Sequence, residues 1–297
     1  MFDFRLKVFY TAARHASFSK AAEELFITQP AVSKHIQGLE QHFKAKLFLR
    51  QGNKVSLTSE GELLYRYSSD IFSMYKKMQY DMDRLGNRNS GHIRLGASTT
   101  LTQYVLPNLL NQFHNEFPEI KLEILNENTD KVETALISKE IDLGIIEGRN
   151  KKREIKYTPF LKDELVLVTR KDNPLAKKGE ATLDELKEIP LVVREFGSGT
   201  LQVIRHYLKE MNLRVSDLNV QLILGSTEGI KNYLKNTESF AFLSINSIIE
   251  ELRNGTFSIV DYPGPKMNRE FYFISLHGEE EKTAMLFENF VINHLKN

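Results

Sequence analysis

Apolar residues recur at helical spacing in three successive stretches near the start of the chain. Phe4, Leu6, Val8, Phe9, Ala12 and Ala13 trace a first helix. Lys20-Ala21-Ala22-Glu23-Glu24-Leu25 makes a second, with Ser17 or Ser19 as its cap and small alanines that permit close packing. In the third, Val32, Ile36 and Leu39 share one side at i, i+4, i+7, while Gln29, Ser33 and Gln37 share another. Thr28 caps this helix, and Pro30 is tolerated because a first-turn N–H has no intrahelical partner. Three residues, Phe26-Ile27-Thr28, separate the second and third helices. That is the spacing of a helix-turn-helix, whose second helix enters a DNA major groove. Its outward edge of amide, hydroxyl, ammonium (Lys34) and imidazole (His35) suits base edges and phosphates. Leu47 to Leu57 then reads as two short strands around Gly52-Asn53, a wing from which Arg50 and Lys54 point to the DNA backbone or minor groove.

From Thr58 to about Leu85 the pattern becomes one long helix. Leu64, Tyr67, Ile71, Met74, Met78, Met82 and Leu85 recur at steps of three and four, close to a heptad seam. At 1.5 Å per residue the helix is about 40 Å long, and nothing local covers its stripe. The simplest cover is the same helix of a second copy; packing on its own body is the rival for part of it. A two-fold dimer sets two heads at a fixed spacing for two half-sites of a roughly palindromic operator. Gly86 to Gly91 has turn-forming composition and is expected to be a hinge.

Beyond it strands alternate with helices, which predicts parallel sheets sandwiched by helices. His92–Ala97 is a strand, followed by a helix burying Val105, Leu106, Leu109, Leu110, Phe113 and Phe117; Lys121–Leu125, Ile141–Ile146 and Leu165–Thr169 are further strands. A second group holds strands at 191–193, 220–224, 240–243 and 257–260, before a strand at 271–276 and a last helix carrying Phe287 and Phe290. Breaks near Lys162 and Pro263 indicate a chain that crosses to a second lobe and returns. The expected organisation is a DNA-binding domain at 1–58, a linker helix and hinge at 59–90, and an effector domain at 91–297. Its lobe I covers about 91–162 and 266–297, and its lobe II about 163–265. The fold class is thus an N-terminal all-α winged helix-turn-helix with a long linker helix, then a two-lobed α/β domain of the kind seen in periplasmic binding proteins.

Charge sharpens this picture. The net charge is only +1, yet residues 1–58 carry nine Lys and Arg against four Asp and Glu, a basic head on a faintly acidic body. With no cysteine, disulfides and thiolate chemistry are excluded, which suits a reducing cytoplasm. No run approaches a membrane span, and a signal core is absent, so a cytoplasmic protein without membrane contact is expected.

In open α/β sheets, ligands bind beyond the carboxyl ends of strands, where helix starts present free N–H groups. Three such turns stand out. Ser98-Thr99-Thr100, with Thr102, lies at the first strand-to-helix turn. Glu195-Phe196-Gly197-Ser198-Gly199-Thr200 occupies the matching turn of the second lobe, and Ser226-Thr227 adds a third donor set. Each alone is an ordinary cap; their agreement makes a pocket.

The residues also resemble a known family. Ser17 to Ala22, Gln29-Pro30-Ala31-Val32-Ser33, Leu39-Glu40, Leu47-Phe48, Arg50, and Leu57-Thr58 with Gly61 are similar to the winged helix-turn-helix of LysR-type transcriptional regulators. Gly96 to Thr100, Asp142-Leu143-Gly144 with Glu147-Gly148, Asp163-Glu164-Leu165, Arg194-Glu195 with Gly197 to Thr200, and Gly225 to Glu228 with Ile230-Lys231 resemble the branch that regulates sulfur assimilation and carbon fixation. The resemblance implies DNA contacts from Ser19, Thr28, Gln29, Pro30, Ser33, Lys34, Gln37, Arg50 and Lys54. It implies a small, polar or anionic effector between the lobes, a dimer or tetramer whose seam includes Leu64, Tyr67, Ile71, Met74 and Met78, and RNA polymerase as a partner. Leu201 departs from the arginine common in that branch, and Lys235-Asn236-Thr237-Glu238-Ser239 replaces its usual Gly-rich turn.

An enzyme is the poorer reading. Gly225 to Lys231 lacks phosphate-loop spacing, Gly197-Ser198-Gly199 is too short for a nucleophile elbow, and the eight histidines show no metal-binding spacing. His15, His35 and His42 are expected as surface or phosphate-facing groups. No catalytic residue, metal or cofactor is assigned. The alternative from another class is a cytoplasmic solute-binding or sensor module whose head serves an interaction other than DNA reading.

Overall fold

The computed structural model describes residues 3–51, 54–85, 91–148, 150–278 and 281–295, apart from the side chains of 50, 51, 54, 73, 76, 77, 79–81 and 83–85. The Gly52-Asn53 turn and most of the expected hinge, 86–90, lie outside the described residues. The chain divides into two compact units, 1–85 and 86–297.

In the first unit, α1 (Phe4–His15), α2 (Phe18–Leu25) and α3 (Gln29–Phe43) start at side-chain caps supplied by Asp3, Ser17 and Thr28. Ser17, not Ser19, caps the second helix. Each helix ends on a residue in the left-handed region, Ala16, Phe26 and Lys44, although none is glycine. The third helix runs 15 residues, to Phe43. Strands β1 (Phe48–Gln51) and β2 (Lys54–Leu57) pair antiparallel as the wing, so the head is not purely helical. Val8, Phe9, Ala12, Phe18, Val32, Ile36, Leu39 and Phe48 form its core, with the Phe48 ring 5.4 Å from Phe9 and 5.1 Å from Phe18.

Helix α4 (Ser59–Leu85) follows. Its first turn is tied to the wing, because Thr58 Oγ1 donates to Lys46 O at 2.6 Å and accepts from Gly61 N at 2.9 Å. Gly61 lies so close that a Cβ there would sit 2.1 Å from Leu47 O, and only glycine fits. The Glu40 carboxylate accepts from Lys46 Nζ at 2.8 Å and from Leu47 N at 3.0 Å. Glu40, Leu47, Thr58 and Gly61 therefore join wing to helices.

The second unit begins with β3 (Gly91–Ser98), a π-helical turn over Leu101–Val105, α5 (Leu106–Glu116), β4 (Ile120–Glu127), α6 (Thr129–Ile137), β5 (Leu143–Glu147) and the long β6 (Ile155–Arg170). It continues with α7 (Pro174–Lys178), α8 (Leu183–Glu188), β7 (Leu191–Arg194), α9 (Gly199–Glu210), β8 (Val220–Leu224), α10 (Thr227–Leu234), β9 (Ala241–Ser244), α11 (Ile249–Arg253), β10 (Phe257–Ile259), β11 (Met267–Leu276) and α12 (Lys282–His294). Strand β3 lies parallel to β4 and β5, and β7 parallel to β8.

The expected parallel pairing holds within these strands and gives way to antiparallel pairing at the crossovers. Strands β6 and β11 pair antiparallel along most of their lengths, from Met267 opposite Leu165 to Leu276 opposite Ile155, with a bulge between Phe271 and Tyr272. Strands β5, β9 and β10 add to this pair antiparallel. The chain passes to its second lobe on one strand and returns on its neighbour, so the two must run in opposite directions. For the same reason β6 is far longer than the expected 165–169. In the first helical segment Leu101 is buried, while Val105 and Leu110 are only half-buried, because the π-helical turn shifts the phase of the inward face.

Candidate functional site

On the head, Thr28, Gln29, Pro30, Lys34 and Gln37 are exposed and Ser33 is half-buried. Gln29 Nε2 donates to Ser33 Oγ at 3.2 Å, so amide and hydroxyl share one flank of α3. Ser19 is exposed at the start of α2. The side chains of Arg50 and Lys54 lie outside the described residues; their backbones face Val55 and Gln51 across the wing. Of the three histidines, His42 is exposed as expected, whereas His15 and His35 are half-buried. His35 sets its ring edge-on to Phe4 at 5.2 Å, and His42 packs on Phe43. His15 Nε2 lies 2.6 Å from Glu24 Oε2, a carboxylate that Arg14 also binds. Burial pushes the Glu24 carboxyl up, but His15 and Arg14 outweigh it and leave it below the usual range.

Along α4, Tyr67, Ile71, Met74, Met78 and Met82 are exposed, Met74 by 69%. Leu64 departs from the seam. It is half-buried against the head's own core, as is Tyr65, whose ring stacks on Tyr10 at 5.3 Å.

In the body, the predicted polar turns divide into three groups. Ser198 and Ser226 accept from Leu201 N and Gly229 N as helix caps, and Thr102 donates back to Ser98 O at 3.0 Å. These are local roles. A second group surrounds Arg194, which is 3% exposed. Glu195 accepts from its Nε and Nη2 at 2.8 and 3.0 Å, Thr227 from Nη1 at 3.3 Å and Thr99 from Nη2 at 3.5 Å. Burial pushes the Glu195 carboxyl up; the guanidinium outweighs it and holds the acid below its usual range. Gly197 adopts φ +86° and its carbonyl accepts from Asp130 N at 3.1 Å, tying the turn to α6.

The third group converges on a carboxylate. Ser98, Thr100 and Thr200 all donate to Glu147, which is 1% exposed, and Arg269 Nη1 lies 3.5 Å from it. Arg269 also binds Asp163 through Nε at 2.6 Å and Thr200 through Nη1 at 3.0 Å. Ser244 and Asn246 complete Asp163, at 2.8 Å each. Among the described residues, Arg269 Nη2 is buried and has no hydrogen-bond partner. Arg269 lines a cavity of about 390 Å³ with Gly148, Lys162, Tyr207 and Asn268 among its walls. Further along the lobe contact, the Tyr104 hydroxyl donates to Glu228, which Lys231 Nζ binds at 2.9 Å. Burial pushes the Tyr104 phenol up, and Glu228 pushes it further.

The hydroxyl turns were legible from sequence, whereas Arg269 was not, because it sits mid-strand with no motif around it. Glu147, Asp163 and Arg194 stood only within family-like strings; a lone charge inside an apolar strand pattern was the available signal.

A winged helix-turn-helix head with an open polar flank, and an α/β body with charged and hydroxyl groups gathered where two lobes meet, define a DNA-binding regulator with an effector domain. Residues 4–62 match the family described as bacterial regulatory helix-turn-helix protein, lysR family, and residues 86–296 match the LysR substrate binding domain. The chain belongs to the LysR family of transcription regulators. Over 269 residues it is 29% identical to the HTH-type transcriptional regulator CysL of Bacillus subtilis, covering 91% of this chain and 89% of that one. It is 30% identical over 270 residues to the HTH-type transcriptional activator CmpR of Synechocystis, covering 91% and 88%. The body is similar to the regulatory domain of Synechocystis CcmR, solved in complex with 2-PG, at TM-score 0.64 and 26% identity, over 70% of this chain and 99% of that one. CrgA of Neisseria meningitidis shares the fold along the full length of both chains, at TM-score 0.71 and 18% identity. These relatives are regulators rather than enzymes, and the solute-binding alternative is not favoured.

Proposed function

We propose that this regulator binds a roughly palindromic operator as a homodimer or tetramer and changes conformation on binding a small anionic effector. The observation that carries the DNA reading is the open flank of α3. Gln29 reads a base by paired hydrogen bonds from its amide, and the Pro30 ring contacts a thymine methyl. Ser33 and Gln37 extend the same edge, while Ser19, Thr28, Lys34, Arg50 and Lys54 hold phosphates. The exposed row from Tyr67 to Met78 pairs with its equivalent in a second copy, since lone apolar stripes of this length seek cover.

The effector sits between the lobes in the cavity beside Arg269, which also binds Thr200 of the Glu195 to Thr200 turn. The buried, partnerless Nη2 of Arg269 supports this, because such a donor needs an acceptor. The 2-PG bound by CcmR supports a small anionic ligand. Binding works only through differential affinity for two lobe arrangements. The protein acts in the cytoplasm, beside RNA polymerase, without catalysis, metal or cofactor. Among the described residues, no helix is long and apolar enough to cross a membrane. A gel-shift titration with the DNA upstream of its own gene, with and without 2-phosphoglycolate, tests the reading. Affinity equal to that for random DNA would refute it.

A further inference from the structure

Glu147 ends β5 with its side chain 2% exposed. A carboxylate so far from water needs hydrogen-bond donors and a cation beside it. Both are present, and they come from separate elements. Ser98 and Thr100 donate from the first turn of lobe I, Thr100 at 3.4 Å; Thr200 donates at 3.3 Å from the first turn of α9 in lobe II. Arg269 supplies the positive charge from β11. The backbone closes over the same point. Thr129 Oγ1 donates to Glu147 O at 2.7 Å, and a Cβ on Gly199 would lie 2.0 Å from that oxygen. A sulfate, phosphate or external carboxylate would ask for this same set: hydroxyls and a guanidinium.

We infer that Glu147 is a ligand the chain supplies to itself, filling the anion position between the lobes and holding them together with no effector bound. The inference rests on the effector-domain reading above and names how that site is controlled. Each hydroxyl has one proton to donate, and two buried carboxylate-like charges in contact cannot both stay ionised. An outside oxyanion therefore cannot share the Ser98–Thr100–Thr200 set with Glu147. The anionic group of the effector goes instead to the adjoining cavity, where Lys162 and Arg269 line the wall together with Asp163 and Glu270, and the Glu147 position selects against anions that would bury themselves at the hydroxyl turns.

Calorimetric titration of sulfate and inorganic phosphate into the full-length protein tests this. Glu147→Ala should bind sulfate about tenfold tighter than wild type or better, the effect of removing a buried like charge. Adding Thr200→Val should abolish that gain, and Glu147→Gln, which keeps the shape, should show none. If Glu147→Ala proves unstable, sulfate should raise its melting temperature by several degrees more than that of wild type, and Glu147→Ser gives a second small replacement. Sulfate binding by Glu147→Ala no tighter than by wild type, or a gain that survives Thr200→Val, overturns the inference. In that event, a wild-type thermal shift with 2-phosphoglycolate that Arg269→Met removes leaves the effector reading standing. A sulfate gain in Glu147→Ala upholds the self-ligand even if no 2-phosphoglycolate shift is found, an outcome that counts against the effector reading alone.

Discussion

Replacing Arg269 by methionine should destabilise the body strongly. The Arg269 side chain is 1% exposed and pairs with Asp163 and Glu147, whose side chains are 0% and 2% exposed. Methionine fills much of the volume but leaves two carboxylates without their cation. Breaking a buried pair by removing one partner costs about 3–5 kcal/mol. The remaining donors, Ser244 and Asn246 on Asp163 and three hydroxyls on Glu147, keep the loss within that range. For a domain of this size each kcal/mol shifts the melting temperature by about 2–4 °C, so the body's transition should fall by roughly 6–20 °C. Differential scanning calorimetry reads this directly, with the head's own transition as an internal reference. A fall under 2 °C would show that Arg269 does not hold the lobe junction together.

The head and helix offer further tests. Gln29→Ala should lose about 1–3 kcal/mol of discrimination at one base pair, whereas Lys34→Ala should weaken all sequences alike and lower the salt slope by about one; competition gel shifts separate the two, and equal losses on specific and random DNA would end the assignment. Gly61→Ala places a Cβ 2.1 Å from Leu47 O and should destabilise the head by about 1–3 kcal/mol, measured by urea denaturation; a neutral result would mean the helix start yields easily. Met74→Glu with Met78→Glu should convert the oligomer to monomer in light scattering and weaken operator binding; an unchanged mass removes these residues from the seam. For Asp142, burial pushes the carboxyl up, but Arg94, whose Nη2 lies 2.5 Å away, outweighs it and leaves the acid below its usual range. Its stabilisation is therefore present at neutral pH and lost as the pH falls through that lowered value, below about 4. Asp142→Asn should flatten that acid limb, and an unchanged limb would place the loss elsewhere.

How legible the molecule was in its sequence differs between its two units. In the head, local signals and final contacts coincide. Thr28, Ser17 and the i, i+4, i+7 row of Val32, Ile36 and Leu39 act within one helix or between adjacent ones, so spacing alone fixes their roles. The helix ends were harder, since Ala16, Phe26 and Lys44 hold left-handed turns without glycine. His35 and Leu64 were misread because a helical wheel does not tell which neighbour arrives on its flank. In the body, the alternation of strands and helices announced the lobes, but not that β6 and β11 would run side by side.

The site shows the same limit more sharply. Periodicity and cap chemistry by themselves determined a DNA-reading head, a long apolar-striped helix and hydroxyl-rich turns at strand ends, because each depends on residues within a few positions of one another. Only the tertiary structure decided what those hydroxyls face. Ser98 and Glu147 are 49 positions apart and Asp163 and Arg269 are 106 apart; nothing in local spacing couples them. Antiparallel pairing of two crossover strands and the close seating of Gly199 bring them together, and buried charge then dictates their pairing.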